Sequence, residues 1–227
     1  MQKYKNSLLI TGSHGLIGRI IRSEFGKFNY EIILIDKENP FNPINILKED
    51  INNYFINVEN VIHLAANPSP FIAKEVADKN VEITKRVIEV CKNSGEIKRI
   101  INASSINVYP YRDIERITKK TPLEANTAFN YGHYGKAKIE CESLFEEYCR
   151  KNGIFLLNLR LGWVTWNDKH PPSAGIKPHD KDLEVALKHK DLRKIIRKAI
   201  NYEGIGSYVC VSKRGGFVAD SLIFPFD

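Results

Sequence analysis

The chain has 227 residues, 43% hydrophobic and 27% charged, with a formal net charge of +7, which bounds it to one domain, or one with a small appendage, around a sizeable core. No apolar run reaches the length of a membrane span, and the opening MQKYKNSLLITGSHG enters a strand-like run at once, without a signal-peptide pattern. Lysines and arginines alternate with acids, as in KHKDLRKIIRK, so the charge reads as a solvated surface with some attraction for an anionic cofactor, and no compact stripe or motif argues for nucleic acid.

From the N-terminus, SLLIT (7–11) reads as a strand buried on both faces. A glycine-rich turn (12–18) and an apolar helix follow it directly, the context in which such a turn binds a dinucleotide. Gly12 suits the tight turn, Gly15 lets the backbone approach a pyrophosphate, and Gly18 permits close helix packing. With Leu16 and Ile17 they open a helix whose free N–H groups and positive dipole end face the phosphates. EIILID (31–36) is the second strand. Its terminal Asp36 lies 18 residues after Gly18, close to the roughly 20-residue offset of the acid that binds the adenosine ribose. A carboxylate there repels a 2′-phosphate, which favours NAD over NADP, while Lys37 beside it softens the choice.

NVIHLA (60–65), KRIINAS (98–104) and IFLLNLRL (154–161) are further buried strands. The amphipathic stretches 73–95 and 134–153, each closed by glycine, read as helices. Cys91, Cys141, Cys149 and Cys210 include no C-x-x-C pair and have no histidine cluster, so no metal site is expected; they fit reduced, buried thiols of a cytoplasmic protein. Alternating β and α units predict an α/β fold, a Rossmann-type doubly wound parallel sheet with helices on both faces. After Leu161 the pattern breaks into a polar loop (166–182), a helix-like run (183–200) and a strand-like SYVCVS (207–212). The expected division is 1–163, a nucleotide-binding domain, and 164–227, a small substrate part that also completes the sheet.

YGHYGKAKIE (131–140) contains two tyrosines and two lysines. Residues four apart share a helix face, which pairs Tyr134 with Lys138, whereas Lys136 is five residues from Tyr131. An ammonium one turn from a phenol favours the phenolate. The pair is therefore either a proton-transfer couple or two common residues of a surface helix.

Four motifs in order, G-x-x-G-x-x-G at 12–18, HLAA at 63–66, ASSINVY at 103–109 and YGKAK at 134–138, resemble the extended short-chain dehydrogenase/reductases, the NAD-dependent epimerase/dehydratase group. The resemblance covers about residues 7–163. It implies NAD as cofactor and hydride transfer between a carbinol carbon and the nicotinamide. It makes Tyr134 the acid/base, and has Lys138 assist it and bind the nicotinamide ribose. Ser105 orients the reacting oxygen, and Ser104, one residue earlier on a strand, faces the other way. Glu142 stands where the family often has an acid, and Ala137 replaces its usual serine. Ala65, Ala66 and Asn67 would line the dinucleotide, with Asn80 either near the active site or on a helix surface. Gly162 and Trp163 would run toward the nicotinamide amide or close the pocket wall, and Asn45 would stand in for the family's acid near the adenine.

The family's substrates are nucleotide-sugars or free sugars. The 67 residues after Arg160 favour a small sugar, and the C-terminal part is similar to the uronate dehydrogenase-like branch. No arginine lies between Leu161 and Leu192 to hold a uronate carboxylate, so a neutral sugar or polyol is equally open. A free-sugar dehydrogenase, a nucleotide-sugar epimerase or dehydratase with tightly bound NAD, and an inactive cofactor-binding protein remain as readings. The resemblance further implies a homodimer paired through two helices. Whether residues 165–182 form a lid stays open.

Overall fold

Nearly continuous apolar runs leave each strand no polar face to show to water, so the sheet is covered on both sides. The computed structural model describes residues 7–28, 30–125, 132–169, 180–213 and 216–225. Its sheet has six parallel strands in the order β2-β1-β3-β4-β5-β6. They are β1 (Ser7–Thr11), β2 (Glu31–Ile35), β3 (Asn60–His63), β4 (Arg99–Ser105), β5 (Phe155–Leu161) and β6 (Ile205–Cys210). The described helices are α1 (Leu16–Phe25), α2 (Lys74–Ser94), α3 (Gly132–Asn152) and α4 (His189–Ala199).

Strand alternation sorts the core into two layers. Leu8 and Ile10 of β1, Ile101 of β4 and Leu157 and Leu159 of β5 pack with Ile21 and Phe25 of α1 and Leu192 and Ile196 of α4. Leu9, Ile100 and Leu156 pack on the other face with Val87 of α2 and Phe145 of α3. Val185, Val209 and Phe224 join the first layer, so the C-terminal residues share one core with the first five strands.

The helix expected over 183–200 begins only at His189. Residues 183–185 form a turn instead, and Ala186 makes a parallel bridge to Trp163: Trp163 N–H donates to Val185 O at 2.9 Å and Leu187 N–H to Trp163 O at 2.8 Å. Val185, Ala186 and Leu187 are all buried. Pairing of this short buried segment with Trp163 overrides the helical propensity of the run. The strand expected at 207–212 forms at Ile205–Cys210. Among the described residues no helix is long and apolar enough to cross a membrane.

His63 ends β3 in the interior, its Nδ1 2.9 Å from Thr11 Oγ1 and its Nε2 3.3 Å from Thr84 Oγ1. Burial, and secondarily the Lys138 ammonium, lowers its pKa from 6.5 to about 3. The native ring stays neutral while the unfolded ring takes up a proton below pH 6.5. This residue's contribution is therefore fully present above 6.5 and falls by about 1.4 kcal/mol per pH unit from there toward 3. Urea denaturation at pH 7 and pH 5 is expected to show the wild type losing about 2 kcal/mol more than His63→Gln. Parallel losses in the two proteins would exclude the histidine as the cause.

Candidate active site

In a doubly wound sheet the crevice opens beyond the carboxyl ends of the strands, where the chain order changes direction. That point lies between β1 and β3. A cavity of about 900 Å³ occupies it, at the upper end of the range for small-molecule sites. The residues expected to react or to hold the cofactor line it: Gly12, Gly15, Leu16, Ile17, Gly18, Asp36, Ala65, Ala66, Asn67, Asn80, Ser105, Tyr134, Lys138 and Gly162.

The glycine turn is a cradle that side chains would fill. Gly12 has φ +68°, and a Cβ there would stand 2.7 Å from Ala65 N. A Cβ at Gly18 would stand 2.4 Å from Gly12 O, so this glycine closes the helix on the turn itself. Gly15 precedes α1 with no side-chain cap, and the first turn holds no acid. The opening N–H groups of α1, those of Leu16, Ile17 and Gly18, thus have no acceptor within the helix. An uncapped positive helix end against open space fits a dinucleotide pyrophosphate.

Asp36 sits at the lip with both oxygens engaged: Oδ2 accepts from His14 N–H at 2.7 Å and Oδ1 from Glu38 N–H at 2.8 Å. It ties the glycine turn to the end of β2 while facing the cavity. Asp36→Ala is expected to weaken NAD about tenfold, the worth of one charge-assisted hydrogen bond, and to narrow the preference over NADP. Binding titrations with an unchanged preference would remove the ribose role. Asn45 also lines this end, its Oδ1 accepting from Leu47 N–H at 3.1 Å.

Asn80 lies inside rather than on the helix surface. It is 2% exposed on α2, and its amide bonds the Asn67 backbone on both sides, Oδ1 accepting from N–H at 2.8 Å and Nδ2 donating to O at 3.2 Å. That clamp fixes the loop after β3.

Ser105 ends β4 and caps the short 3₁₀ turn Ile106–Val108. Its Oγ accepts from Asn107 N–H at 3.2 Å and from Asn107 Nδ2 at 3.1 Å. With both acceptor directions used, its own hydroxyl proton is free to donate into the cavity. Tyr134 and Lys138 come from the first turns of α3, each 6% exposed. Lys138 Nζ donates to Ala103 O at 2.6 Å and stands 5.8 Å from the Tyr134 ring centre. Gly135 makes this approach possible, since a Cβ there would stand 2.3 Å from Asn107 O. Tyr131 lies outside the described residues.

Ser104 faces the other way, as strand alternation requires, and its hydroxyl donates to Glu142 Oε1. Glu142 pairs with Arg160 of β5, Oε1 to Nε at 3.0 Å and Oε2 to Nη2 at 2.7 Å. The sequence flags Glu142 only as a family acid; this buried pair staples α3 to the sheet one turn beyond Lys138. Gly162 is held by packing, a Cβ there standing 2.0 Å from Val185 O. Trp163 walls the cavity and donates from Nε1 to Tyr111 Oη at 2.8 Å. Tyr111 in turn donates to Asp182, which takes a bidentate pair from Arg112. Of residues 165–182, 170–179 lie outside the described residues; Trp166 lines the cavity, with the Arg19 guanidinium 5.8 Å from its ring centre.

Asn107 is a residue the sequence reading passed over. It is 6% exposed and lines the cavity, and its Oδ1 has no hydrogen-bond partner among the described residues. Its only sequence signal is a polar residue inside ASSINVY.

Residues 8–165 match the model of the NAD dependent epimerase/dehydratase family. The chain belongs to that family. Among its curated relatives, L-arabinose 1-dehydrogenase (NAD(P)(+)) of Haloferax volcanii is 26% identical over 175 residues, 71% of this chain and 68% of that protein. Two solved structures show the same fold. A mutated uronate dehydrogenase has a TM-score of 0.73 at 18% identity, covering 95% of this chain and 78% of that one. The UDP-N-acetylglucosamine 4-epimerase from Bacillus cereus has a TM-score of 0.70 at 21% identity, covering 96% and 81%. The family membership makes this chain an NAD-dependent enzyme on a Rossmann-type sheet.

Proposed function

We propose that this chain oxidises a hydroxyl of a free sugar, with residues 1–163 holding NAD and residues 164–227 walling the substrate. The observation that carries the reading is that Ser105, Tyr134 and Lys138 line the same cavity as the glycine turn. Gly12, Gly15, Leu16, Ile17 and Gly18 would cradle the pyrophosphate, and Asp36 the adenosine ribose. Ala65, Ala66, Asn67, Asn80 and Gly162 would flank the dinucleotide toward the nicotinamide end. Bound there, NAD supplies the hydride acceptor. Tyr134, as phenolate, takes the hydroxyl proton on its Oη, and Lys138 holds that anion by charge. Ser105 donates its hydroxyl proton to the reacting oxygen and fixes its direction. The burial of all three side chains keeps bulk water from the proton path.

The arabinose and uronate dehydrogenases support a free sugar or sugar acid as substrate. The 4-epimerase supports a second reading equally, a nucleotide-sugar epimerase or dehydratase that retains its NAD. Incubating the protein and NAD with free sugars, sugar acids and nucleotide-sugars separates them. NADH accumulating with a free sugar is the expected result. An altered nucleotide-sugar without net NADH would establish the second reading, and bound NAD with no product from any class would make the chain an inactive binder. The four cysteines are free and buried, which supports a reducing compartment, the cytoplasm. α2 and α3 lie side by side and would form the homodimer contact.

A further inference from the structure

Both tryptophans of the chain line the cavity, but they are held differently. Trp163 is tied by its indole N–H to Tyr111. Trp166 is 68% exposed. Single exposed aromatics are ordinary on a surface, yet this one stands on a built turn. Thr165 Oγ1 donates to Lys169 O at 2.7 Å and Asp168 N–H donates to Thr165 O at 3.2 Å, closing the backbone around Trp166. Asp168 takes φ +57°, in the left-handed region that Asp enters more readily than most residues. The turn is fastened to α4 at two points. Asp168 Oδ1 accepts from His189 N–H at 3.0 Å, and His189 Nε2–H donates to Thr165 O at 2.7 Å. With its backbone fixed in this way, the indole has little freedom left to lose when a ligand covers it.

A contact from α1 places the ring within the cavity. Arg19 follows Gly15 by one helical turn, its N–H donating to Gly15 O at 2.9 Å. Its Nε donates to His14 O at 2.8 Å, and its guanidinium stands 5.8 Å from the Trp166 ring centre. His14 belongs to the glycine turn, so the indole spans from the loop after β5 to the turn where Leu16 and Ile17 open α1. A dinucleotide resting on those N–H groups has its pyrophosphate between the helix end and the ring. An indole suits that position. Its apolar body keeps water from the phosphates, which strengthens their bonds to the backbone. Its Nε1–H is a further donor for a phosphate oxygen. The brace to α1 favours the cofactor over a sugar stacked on the ring.

We infer that Trp166 is a cofactor-binding residue, whose indole, braced by Arg19, covers the pyrophosphate of the bound dinucleotide and slows its release. This rests on the placement of NAD along the glycine turn proposed above, and gives the C-terminal part a grip on the cofactor besides its wall for the substrate.

Two sets of variants test it. Trp163→Phe leaves Trp166 as the only tryptophan, so the emission reports on that ring alone. Saturating ADP-ribose, which carries the pyrophosphate without the nicotinamide, is expected to shift that emission to the blue as the ring leaves water. Adenosine or L-arabinose alone should leave it in place. With Trp163 retained, Trp166→Ala is expected to weaken NAD and ADP-ribose about tenfold by calorimetric titration, within the worth of one covered aromatic ring. NADH should dissociate correspondingly faster in stopped flow, and adenosine affinity should stay unchanged. Trp166→Phe keeps a ring and should retain most of the affinity. Arg19→Gln is expected to cost about threefold alone and nothing further in the Trp166→Ala background, as for two residues acting through one contact.

Emission that stays put with saturating ADP-ribose would overturn the inference, and so would emission that shifts with L-arabinose alone. A Trp166→Ala variant that binds NAD like the wild type, or that loses adenosine as much as ADP-ribose, would overturn it too. Additive losses would remove Arg19 as the brace. If neither NAD nor ADP-ribose binds the wild type, the placement of NAD along the glycine turn fails and the inference with it; binding with a silent indole sinks the role of Trp166 alone.

Discussion

Tyr134→Phe is expected to lower kcat by at least about a hundredfold, the usual contribution of a positioned general base, while NAD binding stays within about twofold of the wild type. The expectation is sharp because the phenol oxygen makes no hydrogen bond among the described residues. Its loss strands no buried partner, and the ring remains to pack. Lys138 keeps its bond to Ala103 O and its place near the ring, so the cavity should hold its shape. A stopped-flow or steady-state measurement on the best substrate from the sugar panel, paired with an NAD titration, reads both parts. A phenylalanine variant with wild-type turnover would end the acid/base assignment, and one that no longer binds NAD would show that the ring supports the cofactor site.

The second large effect is one of stability. Glu142→Ala is expected to cost about 3–5 kcal/mol, because it leaves the Arg160 guanidinium buried without its counter-charge. Glu142 and Arg160 are 5% and 8% exposed, so neither is screened by solvent as a surface pair would be. The same carboxylate accepts from Ser104, so one deletion unties both Ser104 and Arg160 and leaves the guanidinium only its bond to Tyr109. Since Glu142 lies one turn beyond Lys138 on α3, activity should fall together with stability. The pair replaced as a whole, Glu142→Leu with Arg160→Met, should recover much of the loss, because apolar groups of similar volume avoid the desolvation cost. Urea unfolding of the single and double variants measures both. A single variant within about 1 kcal/mol of the wild type would show that water reaches the pair.

Much of the site can be read in the chain because its demands are local. The turn at 12–18 needs glycine where φ is positive and where a Cβ would strike the neighbouring backbone, and those needs leave marks in the sequence. Tyr134 and Lys138 are readable for the same reason, since helical spacing sets their common face. The opposed directions of Ser104 and Ser105 follow from the two-residue period of a strand, and the Ser104–Glu142 bond agrees with it.

What the sequence by itself determined is therefore the periodic and the short-range: continuous apolar runs for strands covered on both faces, the glycines of the first turn, and the four-residue step in α3. Tertiary structure alone decided how residues far apart meet. Asn80 clamps Asn67 through a bend whose closure no local rule specifies. Glu142 finds Arg160 only once α3 lies on β5. Ala186 bridges rather than continuing a helix because an open edge of backbone at Trp163 is there to receive it. The unpartnered oxygen of Asn107 has no local signature, because a missing hydrogen bond exists only after every neighbour has been placed. Periodicity fixes which way a side chain points, while burial and pairing depend on what the rest of the chain brings to meet it.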